Sequence, residues 1–254
     1  MEFAGPGTPL TADGLAAFTE ATAAGSAEIW AVIAVETSGC GYLPDRRPQI
    51  LFERHIFSML TGHIYDDSHP DISQPTSGGW GSPGAYQYYR LAEALTLDEA
   101  SALQSASWGL GQILGQNFRT AGFTSVTDMV DALVLSENNQ LTAIASFLLA
   151  NHLARPLVTH DWASFARGYN GPDYAAKNYD GQLAHFYSIY ASGAVPDLTV
   201  RKVQMLLTYR NYNPGIIDGR MGNNTASAIR AFQTANGLPP TGIIDDDLIR
   251  ALGG

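Results

Sequence analysis

The sequence predicts a mainly α-helical protein in which a large helical body is followed by a small three-helix unit. Two observations carry that expectation. Apolar residues recur at helical spacing along most of the chain, and a run of small residues near position 191 separates a long first part from a short second one. The 254 residues are enough for a main domain and a small satellite.

The body opens with helical patterns over 11–24 and 26–37. In the second, Ile29, Val32, Ile33 and Glu36 fall at i, i+3, i+4 and i+7 and share one face. If that face is buried, Glu36 goes in with it. A buried carboxylate without a cation beside it keeps its proton to a higher pH, and the C-terminal end of a helix dipole acts in the same direction. Gly39 and Gly41 then stop the helix. Further helices are predicted over 50–60, 86–94, 125–135, 137–152 and 174–190. Residues 61–85, TGHIYDDSHPDISQPTSGGWGSPGA, show no period, and a loop this long in a compact domain is usually functional or mobile.

Ala191-Ser-Gly-Ala-Val-Pro-Asp197 reads as a linker. Beyond it, Pro214-Gly-Ile-Ile-Asp-Gly219 recurs as Thr241-Gly-Ile-Ile-Asp-Asp246, each copy leading into a short helix. The helix over 200–209 supplies Val203, Leu206 and Leu207. The next, starting near Asn223, Asn224 and Thr225, supplies Ala228, Ile229 and Phe232. The expected division is thus 1–190, a linker at 191–197, and 198–254. Separate cores imply that 1–190 folds and works without the tail.

Composition excludes several classes. A net charge of −10 argues against a nucleic-acid binder. Residues 198–254 carry a net +2 and the remainder −12, a difference too small to name a partner. Cys40 is the single cysteine, so folding needs no disulfide framework. The N-terminus, MEFAGPGTPLTADG, lacks a basic region ahead of an apolar core and does not read as a signal peptide. The apolar runs are too short to span a bilayer, so no membrane insertion is expected. The histidines (55, 63, 69, 152, 160, 185) show no HExxH or comparable spacing, which argues against a zinc amidase; neither metal nor cofactor is expected.

Four segments carry residues suited to a sugar site: Glu36-Thr-Ser-Gly39, Leu51-Phe-Glu-Arg-His-Ile-Phe57, Ser105-Ala-Ser-Trp-Gly-Leu-Gly-Gln-Ile-Leu-Gly115 and Tyr169-Asn-Gly-Pro172. Amides and backbone groups read hydroxyl and acetamido groups, while aromatic faces cover the apolar side of a sugar ring. Each residue alone also has a plain structural reading. Glu53 can pair with Arg54 or Arg47, Trp108 and Tyr169 can be core, and Gln112 can satisfy a buried backbone group.

In combination these segments resemble a family. Glu36-Thr-Ser-Gly39, Gly109-Leu-Gly-Gln-Ile113 and Tyr169-Asn-Gly171 resemble, in order and spacing, motifs of goose-type lysozymes and lytic transglycosylases. The run from about 10 to 190, including RRPQILFERHIF, SASWGLGQILG, DWASFARGYNGPDY and NYDGQLAHFY, is similar to the N-acetylmuramidase domain of modular phage endolysins. Residues 198–254, with Asp218-Gly-Arg-Met-Gly-Asn-Asn-Thr225, resemble the three-helix peptidoglycan-binding module.

The resemblance implies a lysozyme-like helical catalytic domain that cuts the β-1,4 bond between N-acetylmuramic acid and N-acetylglucosamine. It implies Glu36 as the general acid and Glu53 as the second carboxylate, with Asp45 behind it, and Ser107, Trp108, Gln112, Tyr169 and Asn170 as sugar contacts. The expected partner is bacterial peptidoglycan and the expected state a monomer. The missing signal peptide fits a lysin that waits in the host cytoplasm until the membrane is opened. Two alternatives stay open at this stage: a lytic transglycosylase forming a 1,6-anhydro product through Glu36 alone, and an inert wall-binding protein.

Overall fold

A computed structural model describes residues 3–37 and 39–253, so Ser38 of the Glu36–Gly39 motif lies outside the described residues. The first helix, α1 (Ala12–Thr22), starts where the Thr11 hydroxyl accepts from the Gly14 amide. In α2 (Ser26–Thr37), Ile29, Trp30, Ala31, Val32 and Ile33 are all buried, which makes it the central helix of the body. The predicted apolar face goes inward at Ile29, Val32 and Ile33, and reaches the surface again at Glu36, which is half-buried.

The helix expected over 50–60 is two elements. Ile50–Phe52 form strand β1, and α3 (Arg54–Leu60) begins after Glu53. Ile50, Leu51 and Phe52 pair antiparallel with Trp108, Ser107 and Ala106, partners far along the chain that no local pattern reveals. Helices α4 (Tyr86–Leu97) and α5 (Glu99–Gln104) precede β2 (Ala106–Trp108) and β3 (Ile113–Leu114), which complete a three-stranded sheet in the order β1-β2-β3. The long segment 61–85 is built of turns, and it is pinned from α4. Gln87 accepts from the Phe52 amide (2.9 Å) and donates to the carbonyls of Trp80 (2.6 Å) and Ser82 (2.8 Å). Arg90, fully buried, donates to the carbonyls of Phe52, Asp71 and Trp80.

Helices α6 (Val126–Leu133), α7 (Glu137–Ala150), α8 (Ala154–Val158) and α9 (Trp162–Asn170) close the body, with α6, α7 and α9 capped by Ser125, Ser136 and Asp161. The helix expected over 174–190 is interrupted. A 3-10 turn at Pro172–Lys177 ends on Asn178, which is left-handed (φ 53°), and α10 (Tyr179–Ala191) then runs along α2. Asparagine tolerates that conformation. The core draws on every helix from α1 to α10 and on the sheet.

After residues 192–197 come α11 (Leu198–Thr208), α12 (Asn223–Ala235) and α13 (Asp246–Ala251), with a core of their own centred on Val203, Leu207, Ile229, Phe232 and Leu248. Gln204 braces this unit, accepting from the Gly219 amide and donating to Asp218, Thr225 and the Arg220 carbonyl. The unit also docks on the body through α11. Met205 packs with Cys40 and Tyr42, the Tyr209 hydroxyl donates to the Gly7 carbonyl (2.8 Å), and Arg201 reaches Glu137 of α7. The two units thus share a buried, charged interface in addition to the segment that connects them. Among the described residues, no helix is long and apolar enough to cross a membrane.

Candidate active site

A cleft of about 690 Å³ runs between the end of α2, the sheet, the 61–85 segment and the α9–α10 connection, and it holds both Glu36 and Glu53. The sheet floors it through its period-two alternation. Leu51, Ser107 and Leu114 stand abreast and face the cleft, so their neighbours Phe52, Ala106 and Trp108 face the core.

This alternation corrects the expectation for Trp108. It is 1 % exposed, donates to the Leu103 carbonyl (3.1 Å) and packs against Phe3, so it offers no face to a sugar. The indole in the cleft is Trp80, from the 61–85 segment, and sequence reasoning missed it. Its only sequence signal is an aromatic residue set between glycines in Gly78-Gly-Trp-Gly81.

Burial pushes the Glu36 carboxyl up from 4.5 to about 7, against smaller opposing effects from the Asn170 hydrogen bond and the Lys177 charge. Asn170, the last residue of α9, donates from Nδ2 to Oε1 of Glu36 at 2.9 Å. That leaves Oε2 to carry the proton. The Asn170 side-chain oxygen, Oδ1, is buried with no hydrogen-bond partner. A buried acceptor left open in a cleft is suited to an N–H or O–H from a bound ligand.

Glu53 occupies the position before α3 but does not cap it; its Oε2 accepts from Trp80 Nε1 at 2.8 Å. His55 Nδ1 stands 3.3 Å from the same oxygen without the alignment of a hydrogen bond. Neither Arg54 nor Arg47 pairs with Glu53. Arg54 points to the Pro70 carbonyl, and Arg47 forms an ion pair with Asp45 at 2.6 Å. Asp45, so engaged, does not line the cleft, which removes it as a second carboxylate.

The remaining expected contacts divide. Ser107 is half-buried and faces the cleft. Gln112 is left-handed (φ 47°), lines the cleft, and donates from Nε2 to the carbonyls of Gly109 (2.9 Å) and Gln49 (3.3 Å), so both bonds run through its nitrogen and not its side-chain oxygen. Tyr169 lines the cleft, but its hydroxyl braces the wall, donating to the Gly111 carbonyl at 2.7 Å. Burial, with the Glu36 charge second, holds that phenol well above its ordinary range. A Cβ at Gly111 would stand 2.3 Å from Ile144 and 2.8 Å from the Tyr169 oxygen, so any larger residue there requires those side chains to shift. Lys177 and Tyr179, also missed, come from either side of Asn178, and the Lys177 ammonium lies 5.2 Å from the Trp80 ring centre across the cleft. Among the described residues, no cluster of three or more metal-ligating side chains occurs.

The sequence signature of the family described as N-acetylmuramidase matches residues 25–191, and that of a peptidoglycan binding domain matches 197–252. A crystal structure of the Burkholderia AP3 phage endolysin is similar to this chain at 36% identity and a TM-score of 0.65, over 73% of this chain and 72% of that one. No curated protein matches the chain.

Proposed function

The chain belongs to the N-acetylmuramidase family and is a glycoside hydrolase of peptidoglycan, and on that premise we propose that it cuts the β-1,4 bond between N-acetylmuramic acid and N-acetylglucosamine with Glu36 as proton donor. The carrying observation is the state of Glu36, a carboxyl in the cleft held up to about 7 by burial, with one oxygen fixed by Asn170. A general acid must still hold its proton at the working pH, and a carboxyl tuned upward meets that need. Lysozyme tunes its own acid in the same direction, with a glutamic acid set in an apolar pocket.

Glu36 Oε2 gives its proton to the glycosidic oxygen as the bond to the muramic acid anomeric carbon breaks, and the other sugar departs with a free hydroxyl. Glu53, with Oε2 held by Trp80, takes a proton from a water through Oε1, and the resulting hydroxide adds to that carbon. Asn170, Gln112 and Ser107 supply hydrogen bonds to acetamido and hydroxyl groups, and the Trp80 indole covers a ring face. The C-terminal unit adds avidity at an insoluble substrate.

Mass spectrometry of products from purified peptidoglycan tests this reading. Reducing-end muramic acid is expected. Anhydromuramic acid would replace the reading with a transglycosylase in which Glu36 works alone, and absence of any sugar product would leave a wall-binding protein. Glu36→Gln should lower turnover by roughly 10²–10⁴-fold in a folded protein. Glu53→Gln should cripple hydrolysis while glycan binding survives.

A further inference from the structure

Arg201 belongs to α11 of the C-terminal unit, but its guanidinium lies inside the body. It is 1 % exposed and faces Glu137, which is fully buried. Nη2 donates to Glu137 Oε1 at 2.7 Å while Nη1 takes the other oxygen, and both Nε (3.0 Å) and Nη2 donate to the carbonyl of Gly39. Glu137 in turn accepts from the amides of Gly41 (2.9 Å) and Leu10 (2.8 Å). On the same helix, Gln140 accepts from the Leu110 amide, in the turn that carries Gln112.

The turn after α2 is held from two sides. Gln49, within the body, anchors the carbonyls of Cys40 and Gly41. The carbonyl of Gly39, nearest the helix that ends in Glu36 and Thr37, is held from the other unit by Arg201. Gly39 itself (φ 103°) fits against that unit, since a Cβ there would stand 2.5 Å from the Ile217 carbonyl oxygen. We propose that Arg201 is a positioning residue for Glu36: through it, the peptidoglycan-binding unit fixes the turn at residues 39–41 and so sets how the end of α2 presents its carboxyl to the cleft. The proposal rests on the reading of Glu36 as proton donor. Its consequence is that docking of the wall-binding unit contributes to turnover even on short soluble glycans, where tethering gives no advantage.

Simple loss of Arg201 would leave Glu137 as a buried, unpaired carboxylate, so a variant that removes both charges is the informative one. Full-length Arg201→Met/Glu137→Gln and Arg201→Lys are compared with wild type on soluble glycan fragments for kcat, KM and pH profile, and on sacculi for binding. Misplacing a catalytic group by about 1 Å can cost about 10²-fold. The double variant should fold, bind sacculi normally and keep its KM, while kcat falls about 10- to 10²-fold. Its alkaline limb should move to lower pH, because a loosened helix end lets water reach Glu36. The groups that face Glu36 from other elements (Glu53, Tyr169, Asn170, Lys177 and Tyr179) are unchanged in that variant. Arg201→Lys keeps the cation without the planar fork and should lose less.

Wild-type kcat and an unmoved pH limb in the double variant would mean that Arg201 serves stability alone, and the proposal would fall. If the double variant does not fold, Arg201→Lys decides by the same two readings. A Glu36→Gln control separates the two claims. An active Glu36→Gln protein removes the proton-donor reading. An inactive one beside a fully active double variant removes only the positioning role.

Discussion

Glu36 holds a charge-bearing group where the folded chain disfavours the charge, and that leaves a mark on stability as well as on rate. Its carboxyl titrates at about 7 in the folded protein against 4.5 as the ordinary value. With the folded value raised, the protonated group's contribution is fully present below pH 4.5 and is lost as pH rises through about 7. Glu36→Gln, which cannot ionise, should therefore be more stable than wild type at pH 8, by on the order of 1–3 kcal/mol. The difference should shrink below about pH 5, and thermal melts at the two pH values read it. Equal melting temperatures at pH 8 would show that solvent reaches the carboxyl freely. Glu36 was legible in the sequence because it shares the face of Ile29, Val32 and Ile33, which is buried along α2 and opens into the cleft at its end. Trp80 was not, because its bond to Glu53 depends on a segment folded back by Gln87 and Arg90. Trp108 misled because a motif records that a tryptophan is present but not which side of a strand it faces.

Periodicity revealed the helices whose apolar face is set locally, among them α2, α6 and α7. The sheet was invisible because Ile50–Phe52, Ala106–Trp108 and Ile113–Leu114 are too short to show alternation, and their strand character comes from each other. Those short strands matter more to the site than their length suggests. They turn Ser107 toward the cleft, and the turn between β2 and β3 brings Gln112 beside it. That turn is packed tightly against α7 and α9 at Gly111. Gly111→Ala should push Ile144 and the Tyr169 hydroxyl apart, costing about 1–3 kcal/mol in a denaturation curve and lowering activity through the displaced Gln112. A variant with unchanged stability would show that α7 gives way easily there. The break at Asn178 has the same character, since the helical pattern runs across it and only the left-handed asparagine separates Lys177 from Tyr179.

At the scale of the whole molecule, the division at residues 191–197 shows in the sequence as composition, whereas the contact between the units, made by Arg201, Met205 and Tyr209 of α11 and its C-terminal end, follows no pattern that singles those residues out. Removing residues 191–254 would strand Glu137 without its cation. Breaking a buried pair in this way typically costs about 3–5 kcal/mol, so the fragment 1–190 should melt well below the intact chain. A fragment as stable as the full protein would mean that Glu137 finds water or a new partner at once. The same interface covers Cys40, which is 5 % exposed and packed with Met205 of α11. Burial first, and the Glu137 charge second, push its thiol up to about 12, so the closed molecule offers a reagent neither access nor thiolate. The chain's single cysteine is thus a clock for the parting of its two units. Each modified thiol records one opening, and the labelling rate in excess reagent should equal the opening rate in the intact chain and be far faster in the 1–190 fragment.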